Sequence, residues 1–162
     1  METTMARADY IQPNLEEWLA AFHFSTDITI RYCETDMSGH VNNTSHLIYF
    51  EQGRVEYFDQ LGLGEDTLRH DGEMMVVAAD ITCHYHSEAF FREKLKLGVR
   101  VARLGNSSLD MEYCLLADEK NRLVATGRGT IVLVNRKTRR SVPIPEDVRE
   151  NISTFEQMEM IR

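Results

Sequence analysis

The sequence predicts an α+β domain in which a five-stranded antiparallel sheet curls around one long central helix. Three observations carry this. Residues 43–61 read as a helix whose apolar side chains (Leu47, Ile48, Phe50, Val55, Tyr57, Phe58, Leu61) occupy most of its girth, the mark of an enclosed helix. Segments 74–86, 94–104, 108–116 and 122–135 follow it as strands joined by short turns. One more alternating segment, 27–33, precedes it.

In chain order, Asn14-Leu15-Glu16-Glu17 resembles a capping box, with Asn14 as cap and Glu17 three residues on, and starts a short helix over 15–22. Segment 27–33 places Ile28, Ile30 and Tyr32 on one side and Asp27, Thr29 and Arg31 on the other. Ser38-Gly39 breaks the chain before the long helix, which Gly62 ends and Gly64 follows. Gly53 lowers helix propensity, which close approach of another backbone would explain. Segment 94–104 sets Leu95, Leu97, Val99 and Val101 against Lys94, Lys96, Gly98 and Arg100. Gly105-Asn106 turns the chain into 108–116, and Asp118–Asn121 turns it again. The apolar run Thr130–Val134 suggests burial on both faces. Pro143 and Pro145 end the sheet, and 146–161 reads as a helical tail. The domain thus covers 26–145, between an N-terminal helical extension (1–25) and the tail (146–162). One helix cannot cover a five-stranded sheet, so the other face is expected to meet a second copy, in a homodimer or a dimer-of-dimers tetramer.

Composition narrows the function classes. With 162 residues, 43% apolar and 27% charged, the chain suits one soluble globular domain. Glu16, Glu17 and Trp18 interrupt the only candidate signal core, and no apolar run approaches the roughly 20 residues a membrane helix needs. Cys33, Cys83 and Cys114 are odd in number, widely spaced and inside strand-like segments. They read as reduced thiols in or near the core, which points to the cytoplasm. A net charge of −8 argues against a nucleic-acid partner. The charge is uneven, at −12 over 1–91, +7 over 92–140 and −3 over 141–162, which fits an anionic small ligand.

Chemistry concentrates between the first strand and the long helix. Asp36 stands before a glycine turn and Asn42-Asn43. The first helical turn leaves backbone N–H groups unsatisfied at the positive end of the helix dipole. Such groups can hold a carbonyl oxygen as negative charge develops on it. A carboxylate beside them can activate water or attack the carbon itself. An Asp in this place can equally be a plain cap or turn residue.

The wider pattern separates these readings. Arg31-Tyr32-x-Glu34-Thr35-Asp36-x-x-Gly39-His40-Val41-Asn42-Asn43, followed by Glu51 and Arg54, resembles the signature of hotdog-fold acyl-CoA thioesterases. It is most similar to the 4-hydroxybenzoyl-CoA thioesterase-like family, in its long-chain acyl-CoA branch. Arg103–Ser108 and Val132–Asn135 through Pro145 fall where that family has a strand-turn-strand and its last strand, so the resemblance spans about 26–146. It implies a hotdog fold and hydrolysis of acyl-CoA to carboxylic acid and CoA without metal or cofactor, coenzyme A being part of the substrate. It implies Asp36 as base or nucleophile, a backbone N–H near Asn43 polarising the carbonyl, and His40 and Asn42 in the same pocket. Where the family has Tyr three residues after the second Asn, this chain has His46, which assigns His46 to the acyl pocket.

Other residues carry two readings. Helical Glu51 matches the position class of a catalytic glutamate in another hotdog branch, but an ion pair with Arg54 or a strand residue is expected. His84 and His86 share a strand face, yet no carboxylate or Cys completes a metal set. Arg103, Arg128, Arg136 and Lys137, with Asn106 and Ser107 in the turn, are candidates for the phosphates of coenzyme A. A hotdog hydratase or dehydratase and a non-catalytic acyl-CoA binder remain as alternatives.

Overall fold

The computed structural model describes residues 8–63, 69, 71–117 and 121–158. Gly64, Asp118–Lys120 of the expected second turn and the end of the expected tail helix lie outside them. The elements are α1 (Leu15–Ala20), β1 (Phe24–Thr29), α2 (Asn43–Gln60), β2 (Met74–Tyr85), β3 (Lys94–Leu104), β4 (Ser108–Ala117), β5 (Arg122–Asn135) and α3 (Glu146–Phe155). The strands form one antiparallel sheet in the order β1-β3-β4-β5-β2.

The sheet wraps α2 because one side chain in two along each strand is apolar and inward. Leu97, Val99, Met111, Tyr113 and Leu115 are buried on that face together with Phe50 and Tyr57 of the helix. Phe50 stacks on Tyr113 with ring centroids 4.7 Å apart. Gly53 is glycine for a reason of packing: a Cβ there would meet the Leu97 side chain at 2.4 Å and that of Val99 at 2.9 Å. The approach is therefore by strand side chains and not by another backbone. Gly127 serves the same fit from the sheet side, since a Cβ would stand 2.5 Å from the Phe50 ring and 2.8 Å from the Thr82 carbonyl oxygen.

Several sequence expectations shift. β1 starts earlier and stops at Thr29, and Tyr32–Glu34 winds into a 3-10 turn. Tyr32 is consequently 76% exposed and Cys33 exposed, not in the core, while Cys114 is buried. Over Thr130–Val134 burial still alternates; the stretch buried on both faces is Val124–Gly127. α3 ends at Phe155, short of the expected 161.

The outer face of the sheet is partly covered by the chain itself. Asn14 caps α1 by accepting from the Glu17 N–H at 3.0 Å, and its amide donates to the Glu17 carboxylate at 2.8 Å. The helix so fixed lays Trp18, 1% exposed, against β3 and β4, where its Nε1–H donates to Glu112 at 2.6 Å. Arg100 closes the same carboxylate at 2.8–2.9 Å, and Phe22 packs over Gly98. A second copy is expected over this face; α1 supplies part of that cover.

α3 is tied in through Glu156, whose Oε1 accepts from the Tyr57 hydroxyl at 2.6 Å and the Val101 N–H at 2.9 Å. Burial pushes this carboxyl above its ordinary 4.5, with the two donors opposing the rise only in part. A raised folded value means that its contribution to stability is complete below about 4.5 and is lost as pH climbs through the folded value. Gln keeps an acceptor oxygen and carries no charge. Glu156→Gln is therefore expected to gain on the wild type in urea midpoint between pH 4.5 and 7, with the two proteins close at the acid end. A difference that stays constant over that range would contradict the account.

Candidate active site

The site is built outward from Glu34. Its buried carboxylate accepts from the Arg31 N–H at 2.8 Å, the Arg31 guanidinium at 2.7–2.8 Å and the Tyr49 hydroxyl of α2 at 2.7 Å. Burial alone would raise its pKa; these donors outweigh burial and hold the carboxyl below its usual range. The Glu34 backbone carbonyl accepts from the Asn42 N–H at 2.8 Å and the Ser45 hydroxyl at 3.2 Å. One residue thus locks the 3-10 turn to the start of α2, and the intervening loop must close on itself.

That loop is a tight reversal. Thr35 pairs with Val41, the Asp36 N–H donates to the His40 carbonyl at 3.0 Å, and the Gly39 N–H donates to the Asp36 carbonyl at 3.0 Å. Gly39 sits at φ +84°, a backbone region that glycine enters without steric cost. Asp36 Oδ1 accepts from the Ser38 N–H at 2.8 Å. Its other oxygen stands 3.7 Å from His40 Nδ1.

Asn42 is the N-cap of α2 and its side chain accepts from the Thr44 N–H at 3.2 Å. It is therefore spent on the cap and is not in the cleft wall. Asn43, the first helical residue, is in the wall, and its N–H meets no acceptor among the described residues. The Tyr85 hydroxyl donates to the Asn43 carbonyl at 2.8 Å, fixing the end of β2 to the helix start. One turn on, His46 is 4% exposed; its Nδ1 lies 3.1 Å from the Asn42 carbonyl, and its ring meets Tyr85 edge-on at 5.0 Å. Burial pushes the His46 imidazole below its ordinary pKa, so it is neutral at pH 7. Nδ1 is then the donor, and Nε2 presents a lone pair.

The facing wall comes from the segment after β2. The Val41 N–H donates to the Ala89 carbonyl at 2.7 Å, and His40 pairs with Phe90. The His40 ring stands between two carboxylates, Asp36 at 3.7 Å and Glu88 at 4.0 Å. Together Asp36, His40, Asn43, His46, Tyr85 and His86 line a cleft of about 340 Å³. The sequence brings Asp36, His40, Asn43 and His46 to notice. It offers His86 only as a strand-face neighbour of His84 weighed for metal, and does not single out Tyr85 or Glu88; what marks all three for the cleft is their place at or just past the end of the strand that stops beside the α2 N-terminus.

The remaining candidates lie elsewhere. Glu51 is exposed and has no partner among the described residues, since Arg54 donates instead to the Tyr113 hydroxyl at 3.3 Å. Arg103 and Arg128 point to the outer face, at 2.7 and 3.9 Å from Asp110, where they line a separate cleft of about 500 Å³. Strand alternation puts Arg128 there, on the side opposite α2, while Arg103 shares the parity of the inward Leu97, Val99 and Val101 and is turned outward by the β3 bulge between Val101 and Arg103. Arg136 holds the chain before β2, donating to the Gly72 and Arg69 carbonyls at 2.8–2.9 Å. Lys137 is exposed in the turn after β5. The Asn106 carbonyl accepts from the Ile144 N–H and so ties down the C-terminal segment, and the Ser107 carbonyl accepts from the Leu133 N–H of β5, both at 2.9 Å. None of these candidates lines the Asp36 cleft. No three His, Cys, Asp or Glu side chains among the described residues converge as a metal cage requires. His84 and His86 are joined instead through hydroxyl groups, His84 to Tyr10 and His86 to Thr126.

Comparison with known proteins places this arrangement. The uncharacterized protein YsmA of Bacillus subtilis is 30% identical over 143 residues, covering 88% of this chain and 94% of its own. The long-chain acyl-CoA thioesterase FadM of Escherichia coli is 23% identical over 127 residues, or 78% of this chain and 95% of FadM. Among solved structures, a thioesterase of Thermus thermophilus complexed with coenzyme A and Zn superposes with a TM-score of 0.69 at 31% identity, over 82% of this chain and 94% of that one. The family model of the thioesterase-like superfamily matches residues 30–152, from just after β1 into α3. A five-stranded antiparallel sheet around one helix, with that match over most of its length, makes the chain a hotdog-fold thioester hydrolase belonging to the thioesterase-like superfamily.

Proposed function

We propose that the chain hydrolyses acyl-CoA thioesters to the carboxylic acid and free CoA, with Asp36 as general base or nucleophile. The observation that carries this is that one cleft is lined by both Asp36 and Asn43, the first residue of α2, whose N–H meets no acceptor among the described residues. A thioester carbonyl seated there has a donor for its oxygen and a carboxylate for water or for its carbon. His40, held between Asp36 and Glu88, is placed to keep Asp36 oriented. The reaction in this form needs no metal or cofactor. His46 and Tyr85 shape the acyl end, and the cationic residues 92–140 favour the anionic carrier.

The same reading makes the chain a cytoplasmic homo-oligomer. No helix among the described residues is long and apolar enough to cross a membrane. Among the described residues β2 is a twelve-residue sheet edge with Val77 and Tyr85 exposed, a surface on which a second copy can add strands.

A thiol-release assay over acyl-CoAs of graded length and polarity tests the proposal, with acyl carrier protein thioesters as a second arm. Release of thiol from at least one acyl-CoA is expected. Binding without turnover across the panel would favour a non-catalytic binder, and loss of enoyl absorbance without thiol release would favour a hydratase.

A further inference from the structure

The Asp36 cleft is connected to the opposite face of the sheet by a line of side-chain hydrogen bonds. His84 Nδ1 is 2.8 Å from the Tyr10 hydroxyl, which is 2.8 Å from Thr126 Oγ1, which is 2.8 Å from His86 Nε2. His84 and Tyr10 belong to the outer cleft, with Arg103, Asp110 and Glu112. His86 belongs to the wall of the Asp36 cleft. Thr126 is wholly buried between them. Tyr10 reaches this position because α1 is docked behind it, with the Trp18 ring 6.0 Å from its own.

Each hydroxyl has one proton to donate, so keeping all three bonds requires both hydroxyls to point the same way. If they point toward His86, its Nε2 accepts and its proton resides on Nδ1. If they point toward His84, His86 donates from Nε2 and Nδ1 is bare. Two considerations select the second arrangement. Tyr10 is the more acidic of the two hydroxyls, and an imidazole nitrogen is the strongest acceptor it meets. Moreover, His86 Nδ1 is buried with no partner among the described residues, and a stranded acceptor is tolerated more readily than a stranded N–H. Burial pushes the His86 imidazole below its ordinary pKa, and His84 adds to this, so the ring is neutral at pH 7. Burial also raises the Tyr10 phenol to about 12, which keeps it a donor.

We propose that Tyr10, carried by the N-terminal segment, is a positioning residue for the Asp36 cleft: through Thr126 it fixes His86 as the Nε2–H tautomer with its ring locked in the cleft wall. The role assigned to Tyr10 rests on the thioesterase reading; the tautomer assignment does not. Without the Tyr10 oxygen, the Thr126 proton loses its acceptor and turns to His86 Nε2. The imidazole then shifts its proton to the buried Nδ1, where it meets no acceptor among the described residues, and the ring in the cleft wall is no longer held in one position.

Long-range proton–nitrogen correlation on nitrogen-15-labelled protein reads this directly, with the chain's six histidines assigned by substitution. The wild type is expected to show His86 as a single Nε2–H tautomer. Tyr10→Phe keeps the ring packing and removes only the hydroxyl, so His86 should move to the Nδ1–H form or a mixture. Thr126→Ser should keep the wild-type pattern where Thr126→Val does not, and Glu112→Gln, which touches the same docked segment off the line, should leave it intact. In turnover, Tyr10→Phe should lower kcat by about two- to tenfold with KM little changed, the rate equivalent of one net hydrogen bond. An unchanged His86 tautomer in Tyr10→Phe overturns the proposal, and a changed tautomer with unchanged kcat overturns the positioning role. If the tautomer shifts but neither protein hydrolyses any thioester, the hydrogen-bond line stands and the catalytic reading of the cleft fails.

Discussion

Asp36→Asn is expected to lower kcat/KM for the best acyl-CoA by about 10²–10⁴, the range for a lost general base, with secondary structure and melting temperature close to wild type. The structure makes Asn the informative replacement. Asp36 Oδ1 accepts from the Ser38 N–H, and an Asn oxygen accepts equally well, so the turn that shapes the loop survives. What disappears is the negative charge and the capacity to take a proton or attack carbon. Ala would remove the turn contact as well and confound the two. Because the Asn43 N–H and the His46–Tyr85 wall are untouched, ground-state binding should persist and the loss should fall on kcat. Thiol-release kinetics at saturating and limiting substrate separate the two constants. Activity within a few-fold of wild type would remove Asp36 from the chemistry and leave it a turn residue.

How far this site was legible in the sequence follows from the range of the forces that build it. The Asp36 loop is local: Glu34, Gly39, Asn42 and Asn43 lie within ten residues and bond mainly to near neighbours, so a motif records them. The α2 helix and the β3–β5 strands were legible for the same reason, since hydrophobic period is set along the chain. The other wall of the cleft is not local. Tyr85 reaches the Asn43 carbonyl from 42 positions away, and the facing of His86 depends on the β2–β5 register, which slips at Ala78/Asp80. Strand ends misled for a related reason. Segment 27–33 alternates in apolar character, but the buried Glu34 carboxylate draws the Arg31 N–H and Tyr49 hydroxyl to itself and winds the chain off the sheet. Charge content along 92–140 signalled cations, yet strand alternation sends Arg128 to the outer face and a bulge at Val101/Arg103 turns Arg103 there too, where Asp110 and not the cleft receives them.

The largest effect expected on stability comes from outside the motif. Trp18→Ala should cost about 3–5 kcal/mol, the range for deleting a fully buried aromatic side chain. Apolar burial is one part of that loss, because the ring packs edge-on to Phe22 at 4.7 Å and closes the outer face over β3 and β4. A second part is the Glu112 carboxylate, which is 7% exposed and loses its 2.6 Å indole donor, keeping Arg100 alone. Trp18→Phe isolates this second part and should cost about 1.5–3 kcal/mol, as for a hydrogen bond to a charged group. An alternative outcome is that α1 merely detaches while the sheet and α2 stay folded. The two outcomes differ in the surface exposed on unfolding. Detachment in the native state lowers the urea m-value, whereas cooperative destabilisation lowers the midpoint and leaves m unchanged. The structure favours the cooperative outcome, because Trp18, Phe22 and Tyr10 each contact β-strand residues of the sheet and not only one another. Melting temperature should then fall by about 10 °C in a single transition. A lowered m-value with an otherwise native core would mean that α1 is an independent flap, and Trp18→Ala would then release His86 in the same way as Tyr10→Phe.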